Sequence, residues 1–211
     1  SYQFDTGFDF QTTNVSANIG GFMNDIGNFN FYSNSGERID DSPVYRSIQR
    51  NAFLRGLEAS LTLHPVEFLH FENSFSYTRA TNRATNMPLP FIPAAILRNE
   101  LRFEPEIKGM KKTYISLGLD NYFSQNRVDE FETTTGAYTL FNAAVGTTLK
   151  LGGKQELSLY ISGKNLLDTK YYDHLSRYKP GRLDQEDPTF GIYNPGRNIT
   201  FGVIMPFTLK N

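Results

Sequence analysis

The chain has 211 residues, with 21 basic and 22 acidic side chains, a formal net charge of −1 and no cysteine. The balanced charge argues against nucleic acid or anionic lipid as an electrostatic partner, because both require a basic surface. The lack of cysteine excludes disulfide scaffolds, thiolate metal sites and cysteine nucleophiles. No apolar run approaches the ~20 residues of a membrane-spanning helix, but a spanning β-strand needs apolar side chains only at alternate positions.

Alternation of apolar and polar residues dominates the sequence and predicts about nine strands, with no convincing helix. The first strand runs from about residue 2 to 10 and places Tyr2, Phe4, Phe8 and Phe10 on one face. After a short polar turn, the second strand begins at Val15. A loop rich in Asn, Ser, Asp and Arg is expected from about residue 28 to 49.

Strands three (about 53–63) and four (about 68–79) flank a tight turn that contains Pro65. His64, Glu67 and His70 are metal-ligand residue types. However, their spacing along a turn and a strand would not bring them onto one ion, and no metal site is predicted. The following loop, about 80–95, contains three prolines. It is either a rigid lead into the next strand or a segment that closes over a substrate.

Strand five (about 96–104) carries Arg98, Glu100, Arg102 and Glu104 on one face. Four ionised groups in a dry core would each cost several kcal/mol unless paired, but facing water they cost little. We therefore expect this face to line a wet lumen, and a lumen that wet requires a wide barrel. The predicted lumen-lining residues are Glu58, Arg98, Glu100 and Arg102; cross-strand ion pairing is the simpler role for the charged row.

The remaining strands are predicted at about 112–124, 138–151, 155–165 and 197–207. The acidic loop near 125–137 is expected to be solvated, including Asp129, Glu130 and Glu132. Connections after the odd-numbered strands are short, and those after the even-numbered strands are long. This segregation is typical of outer-membrane barrels, with short periplasmic turns and long extracellular loops. An odd strand count does not close a bacterial barrel, so we expect the C-terminal part of a larger one.

The tail and several internal segments carry a family resemblance. The matching pieces are Asn165 to Asp168 followed by Tyr171 and Tyr172, the segment 173–177, the closing strand 196–207, the segment 22–26 and the proline-rich segment 88–93. In this order and spacing, the chain resembles the C-terminal end of TonB-dependent outer-membrane receptors, especially those of Bacteroidetes-type bacteria. The resemblance extends over essentially the whole chain.

The resemblance implies an all-β fold, an antiparallel transmembrane barrel of roughly 22 strands, of which residues 1–211 would supply about the last nine without the plug domain. The parent would bind a scarce nutrient, such as a ferric siderophore, haem or cobalamin, and pass it inward with energy from TonB. The implied partners are outer-membrane lipid, the N-terminal plug, the remaining barrel strands, TonB through that plug and a small-molecule or metal-chelate substrate. The implied location is the outer membrane of a Gram-negative bacterium.

Ligand contacts are expected in the last extracellular loop, from the residues Tyr171, Tyr172, His174, Arg177 and Tyr178. Aromatic rings beside a cation suit bulky metal chelates or haem, and they suit oligosaccharides equally. His174 has a second interpretation, as part of a packing motif at the top of a strand that orders the loop.

No pattern of a nucleophile with a base, a phosphate-binding loop or a zinc-binding helix is present. We therefore expect neither enzymatic activity nor a cofactor. Two alternatives to the receptor remain open at the level of the sequence. One is a complete small outer-membrane barrel with a structural or adhesive role, and the other is a soluble β-sandwich or lipocalin-like binding module.

Overall fold

Nine antiparallel strands form one sheet in the computed structural model, which describes residues 1–130, 132–152, 155–180 and 191–206. The strands are β1 (Tyr2–Gln11), β2 (Val15–Ile39), β3 (Ser42–Val66), β4 (Leu69–Asn82), β5 (Ile96–Phe103), β6 (Met110–Tyr122), β7 (Tyr138–Gly152), β8 (Gln155–Lys164) and β9 (Asn198–Ile204). Each strand pairs with its neighbours in the chain, so that sheet order follows sequence order. Within the described ranges, no helix is long and apolar enough to cross a membrane.

The two faces of the sheet differ in polarity because successive side chains of a strand point to opposite sides. One register row crosses β4 to β9 through Leu69, Phe103, Ile115, Val145, Ile161 and Phe201. From Phe103 to Phe201, these side chains expose between 40% and 73% of their surface. The adjacent row passes through His70, Arg102, Ser116, Ala144, Ser162 and Thr200. We call these sides the apolar face and the polar face.

The hairpin of β2 and β3 extends far beyond the predicted strands, and the prediction of a loop over residues 28–49 was wrong. The strands stay paired to Ile39 and Ser42, with bulges where the register shifts. Asp40 and Asp41 form the turn, and both have positive φ, at 48° and 60°, as a type I′ hairpin turn requires. The Asn- and Ser-rich composition suggested a loop, but cross-strand pairing outweighed this weak local preference.

The other strands agree with the sequence-based bounds to within a few residues. The last strand was predicted over 197–207, and β9 covers Asn198–Ile204; Phe207 lies outside the described residues. At one end of the sheet lie the tip of the β2–β3 hairpin, residues 83–95, residues 123–137 and the segment between β8 and β9. This end is called the loop end below, and the opposite end, with the short connections, is the turn end.

The proline-rich segment packs onto the polar face at the loop end. Leu89 is 1% exposed and lies against Ala52 and Ala80, both fully buried, with four partly buried apolar residues around them. The Leu89 amide also donates to the Ala80 carbonyl at 3.2 Å. This docking matches the interpretation of the segment as a fixed lead into β5.

Aromatic rings of the polar face cover glycines on neighbouring strands. Tyr114 of β6 lies opposite Gly146 of β7, and a Cβ at Gly146 would fall 2.6 Å from the tyrosine ring. Phe22 of β2 covers Gly56 of β3 in the same way. A glycine is needed at these places because the ring occupies the space of the missing side chain.

Candidate functional site

Three loops meet at the carboxylate of Glu132 at the loop end. Its Oε1 atom accepts a hydrogen bond from the Phe91 amide of the proline-rich segment at 3.1 Å. The same oxygen lies 3.2 Å from His174 Nε2 and 3.5 Å from Lys179 Nζ, both of which belong to the segment after β8. The Glu132 side chain is 7% exposed. Solvation of this residue was therefore the wrong expectation, and Glu132 joins the proline-rich segment, the β6–β7 connection and the segment after β8.

Lys179 and His174 complete a buried charged cluster with Glu132. Their side chains are 8% and 2% exposed. Lys179 Nζ also donates to the Thr133 carbonyl at 3.1 Å. Because a buried ammonium needs both a countercharge and hydrogen-bond acceptors, the Glu132 carboxylate and this carbonyl stabilise it together.

The imidazole of His174 has a defined orientation within the cluster. Thr135 Oγ1 and Lys179 Nζ lie 3.0 Å and 3.2 Å from its Nδ1 atom. The ammonium can only donate, so Nδ1 acts as an acceptor and the proton of a neutral ring is assigned to Nε2. Nε2 then faces Glu132 at close range, although it is not aligned for a hydrogen bond.

Burial and charge oppose each other in the titration of this cluster. Burial alone would raise the pKa of the Glu132 carboxyl, but His174 and the positive charge of Lys179 outweigh burial and leave that pKa below its ordinary value. Burial lowers the pKa of the Lys179 amine, and Glu132 offsets this effect in part. The favoured state is an ion pair, with Glu132 as a carboxylate.

Tyrosine rings form two stacks beside the cluster. Tyr138 at the start of β7 stacks on Tyr122 of β6 and on Tyr171, with ring centroids 4.5 Å and 4.4 Å apart. Tyr172 stacks on Tyr193, also at 4.4 Å. Such pairs contribute ~0.5–1.5 kcal/mol beyond the burial of their area. The first stack therefore fixes the segment after β8 on the ends of β6 and β7, and the second stabilises that segment internally.

A cavity of about 460 Å³ lies between the β6–β7 connection and the segment after β8. Its described lining comprises Thr133, Thr134, Thr135, Gly136, Ala137, Tyr138, Lys170, Tyr171, Tyr172, Lys179, Pro180 and Tyr193. This lining combines tyrosines with two lysines and contains no carboxylate. Since Lys179 is already paired with Glu132, the exposed Lys170 is the cation that the cavity wall offers to a ligand.

The five predicted ligand-contact residues separate into different environments. Tyr171 and Tyr172 line the cavity, whereas His174 is buried behind it. The Arg177 guanidinium lies 5.9 Å from the Tyr45 ring centroid and 5.6 Å from that of Phe91, and so bridges the β2–β3 hairpin and the proline-rich segment. Tyr178 is 68% exposed. Contact of these residues with a ligand stays a prediction.

The predicted lumen-lining residues share the polar face. Arg98 lies 3.9 Å from Asp120 of β6, and Arg102 donates to Glu104 at 2.5 Å. Glu100 lies opposite Glu72 in the register, and Glu58 lies opposite Ser76. A groove of about 490 Å³ on this face includes Arg98 and Glu100 in its wall. The pairs fit the simpler role of the charged row, as ion pairs within a solvated wall.

Several residues of the loop end were missed by the sequence analysis. Glu132 was regarded as solvated, and Lys179, Tyr138 and Tyr193 were not singled out. The aromatic residues at the start of β7 and before β9 gave a weak signal. These residues come together only when separate loops pack against each other. The alternation of residues along one strand contains no information about that packing.

The histidines at the turn end come closer than their spacing suggested. His64 Nδ1 and His70 Nδ1 are 2.5 Å apart across the β3–β4 hairpin, and His70 Nε2 lies 3.5 Å from Glu104. Glu67 does not join them in any contact of the described chain. No group of three or more potential ligands suited to a metal ion occurs within the described ranges.

The chain is similar to one known family and to solved structures. A family model described as TonB dependent receptor-like, beta-barrel matches residues 1–166. The copper transporter OprC is similar with a TM-score of 0.76 and 18% identity, over 95% of this chain and 31% of that one. A mutant of the ferric enterobactin receptor PfeA from Pseudomonas aeruginosa has a TM-score of 0.64 and 20% identity, over 96% of this chain and 30% of that one. This chain thus spans under a third of either structure, and no curated protein matches it.

Proposed function

The chain belongs to the TonB-dependent receptor-like β-barrel family, and we propose that it supplies part of the wall and of the outer ligand site of a receptor that imports a scarce nutrient across the outer membrane. The whole receptor would draw on TonB for energy. The observation that carries this proposal is the tyrosine- and lysine-lined cavity at the loop end of a sheet with one apolar and one polar face.

The different polarity of the two faces supports a position of the wall between lipid and water. The exposed apolar rows contact outer-membrane lipid, and the polar face, with its charged rows and groove, lines a water-filled lumen. The loop end then faces the outside and the turn end faces the periplasm. Continuous apolar exposure on this scale does not suit the soluble-module alternative.

The chain functions as the C-terminal part of a larger barrel. Two observations support this division. The chain spans only 31% and 30% of the two structural neighbours. In the described part of the sheet, β1 and β9 each pair on one side alone. The partners of the chain are then the remaining strands and the plug, and TonB acts through that plug.

The ligand is an anionic, aromatic metal chelate of the ferric catecholate type. Tyr171 and Tyr172 offer ring faces, Lys170 offers a positive charge, and no carboxylate of the described lining opposes a negative ligand. The names of the two structural neighbours refer to copper and to ferric enterobactin. A neutral oligosaccharide would use the rings but gain nothing from Lys170, so the lysine favours the chelate.

Uptake by cells that produce the complete receptor tests this proposal. Cells would be given radioactive iron as a ferric tricatecholate, and a strain without TonB would serve as the energy control. We expect uptake that requires both the receptor gene and TonB. Equal uptake without the receptor, or transport of cobalamin in place of the iron chelate, would contradict the assigned substrate class.

A further inference from the structure

Two arginines lie side by side on the apolar face, near the loop end. Arg55 of β3 and Arg79 of β4 are direct partners in the register. The apolar face carries Leu57 next to Arg55 along β3 and Tyr77 next to Arg79 along β4, 40% and 41% exposed. Like charges directly opposite on neighbouring strands are destabilising, so an anion bound between them would stabilise this arrangement.

A third arginine reaches the same place from the β6–β7 connection. Arg127 donates from its guanidinium to the Ala80 carbonyl at 2.6 Å and to Thr81 Oγ1 at 2.8 Å. These bonds fix its side chain next to Arg79 in β4. Burial lowers the pKa of Arg127, and the positive charges of Arg79 and Arg55 lower it further. Three cations therefore occupy one small area.

The described residues do not neutralise this area. Among the residues that the structure describes, no carboxylate lies within ion-pair distance of Arg55, Arg79 or Arg127. The nearby carboxylate of Asp25 is paired with Arg83. A group that balances the three arginines would therefore come from outside the described residues, and the exposed Arg55 is accessible to it.

The position of the arginines along the strands identifies their surroundings. From Leu69 to Arg79, β4 extends ~34 Å at ~3.4 Å per residue, which corresponds to a height of ~26 Å for a strand tilted by ~40°. An outer-membrane barrel carries an apolar band ~25 Å tall. Arg55 and Arg79 follow directly at the outer edge of this band, where arginine costs ~0–1 kcal/mol, compared with ~2–4 kcal/mol at the midplane.

We propose that Arg55, Arg79 and Arg127 form a binding site for a headgroup phosphate of an outer-leaflet glycolipid. The site uses the membrane orientation of the proposed function but is separate from the ligand cavity and from transport. Guanidinium groups suit phosphate because their planar donors match its oxygens in pairs. The near-zero net charge of the whole chain conceals this local basic area.

Binding of defined lipids to the complete receptor tests the site. The purified receptor in a neutral detergent would be titrated with monophosphorylated lipid A, with the same lipid lacking phosphate, and with inorganic phosphate. We expect only the phosphorylated lipid to bind tightly and to raise the melting temperature. The double variant Arg55→Gln/Arg79→Gln should bind it about thirtyfold more weakly, as expected for two contacts of ~1 kcal/mol each.

A matched double variant tests whether weaker lipid binding comes from these two arginines or from the loss of positive charge in general. Arg46→Gln/Arg50→Gln removes the same charge from the exposed upper part of β3 and should bind the lipid like the wild type. Equal binding by the wild type and Arg55→Gln/Arg79→Gln would overturn the proposal. Equal binding of the lipid with and without phosphate would also overturn it. Tight binding of inorganic phosphate without binding of the phosphorylated lipid would overturn it as well, because the site would then bind a free anion. Iron uptake should be unchanged in both double variants, which separates this site from the transport proposal.

Discussion

His174 Nε2 lies 3.2 Å from Glu132 Oε1, with both side chains buried between separate loops. Lys179 lies 3.5 Å from the same oxygen, and the Phe91 amide donates to it at 3.1 Å. One carboxylate oxygen therefore holds the proline-rich segment, the β6–β7 connection and the segment after β8 together. The walls of the cavity of about 460 Å³ depend on this contact, because Thr133, Thr135 and Lys179 belong to both the cluster and the cavity.

Glu132→Gln should release the segment after β8. The variant leaves Lys179 buried without its countercharge, and loss of one partner of a buried ion pair costs ~3 kcal/mol or more. In the complete receptor, amide hydrogen exchange across residues 171–180 should accelerate about a hundredfold. The control is Glu37→Gln, which breaks an exposed pair with Arg46 and should change exchange little. Unchanged protection in Glu132→Gln would show that the cluster does not hold the loops.

The contact of Glu132 with Lys179 and His174 should weaken at acidic pH. Since the pKa of Glu132 is lower in the folded protein than its ordinary value of 4.5, its stabilising contribution is complete above pH 4.5. The contribution is lost as the pH falls through the folded-state pKa. The difference in exchange between wild type and Glu132→Gln should therefore shrink below pH 4.5 and stay constant from pH 5 to 7. A constant difference down to pH 3 would exclude Glu132 as the titrating group.

Lys170→Gln should weaken uptake of the proposed ligand, an anionic metal chelate. Lys170 is the exposed lysine of the cavity wall, and removal of one such charge costs ~1 kcal/mol at a partly screened site. The KM for uptake of ferric tricatecholate should rise about fivefold, with little change in the maximal rate. Lys108→Gln at the turn end is the matched control. An equal rise of KM in both variants would show that the total charge of the receptor, and not the position of Lys170 in the cavity wall, determines the effect.

Arg177→Gln should loosen the contact between the segment after β8 and the β2–β3 hairpin. Its guanidinium lies within 6 Å of the Tyr45 and Phe91 ring centroids, and each such contact contributes ~0.5–1 kcal/mol at an exposed site. Hydrogen exchange across residues 175–180 should accelerate about five- to thirtyfold, because the two contacts together contribute ~1–2 kcal/mol. Arg177→Lys should retain part of the protection, because it keeps the charge. If Arg177 contacts only a ligand, neither variant will change exchange in the free receptor.

Gly146→Ala should destabilise the barrel, since the new Cβ would meet the Tyr114 ring at 2.6 Å. Displacing the ring from its packed position costs ~1–3 kcal/mol, which a lower urea midpoint of the complete receptor would reveal. Gly136→Ala is the control, because no atom lies within 4 Å of a Cβ at that position. Equal midpoints for the two variants would mean that Tyr114 moves away at no cost.

The strands and their faces could be predicted because alternation is a local property. A residue such as Leu101 and its neighbour Arg102 must point to opposite sides of any strand, and the rows through them follow from antiparallel pairing. Amino-acid composition gave a wrong prediction in β2. The segment around Asn30 and Ser33 reads as a loop, yet partners in β3 keep it in a strand.

By itself, the sequence determined nine strands, one apolar and one polar face, and the resemblance to TonB-dependent receptors. Only the tertiary structure decided that Glu132 is buried with His174 and Lys179, and that Arg55 and Arg79 stand together on the apolar face. Alternation acts between adjacent residues, whereas these contacts depend on the register of neighbouring strands and on how three loops pack at one end. A carboxylate in an acidic loop is solvated unless distant residues cover it, and here residues from two other segments do.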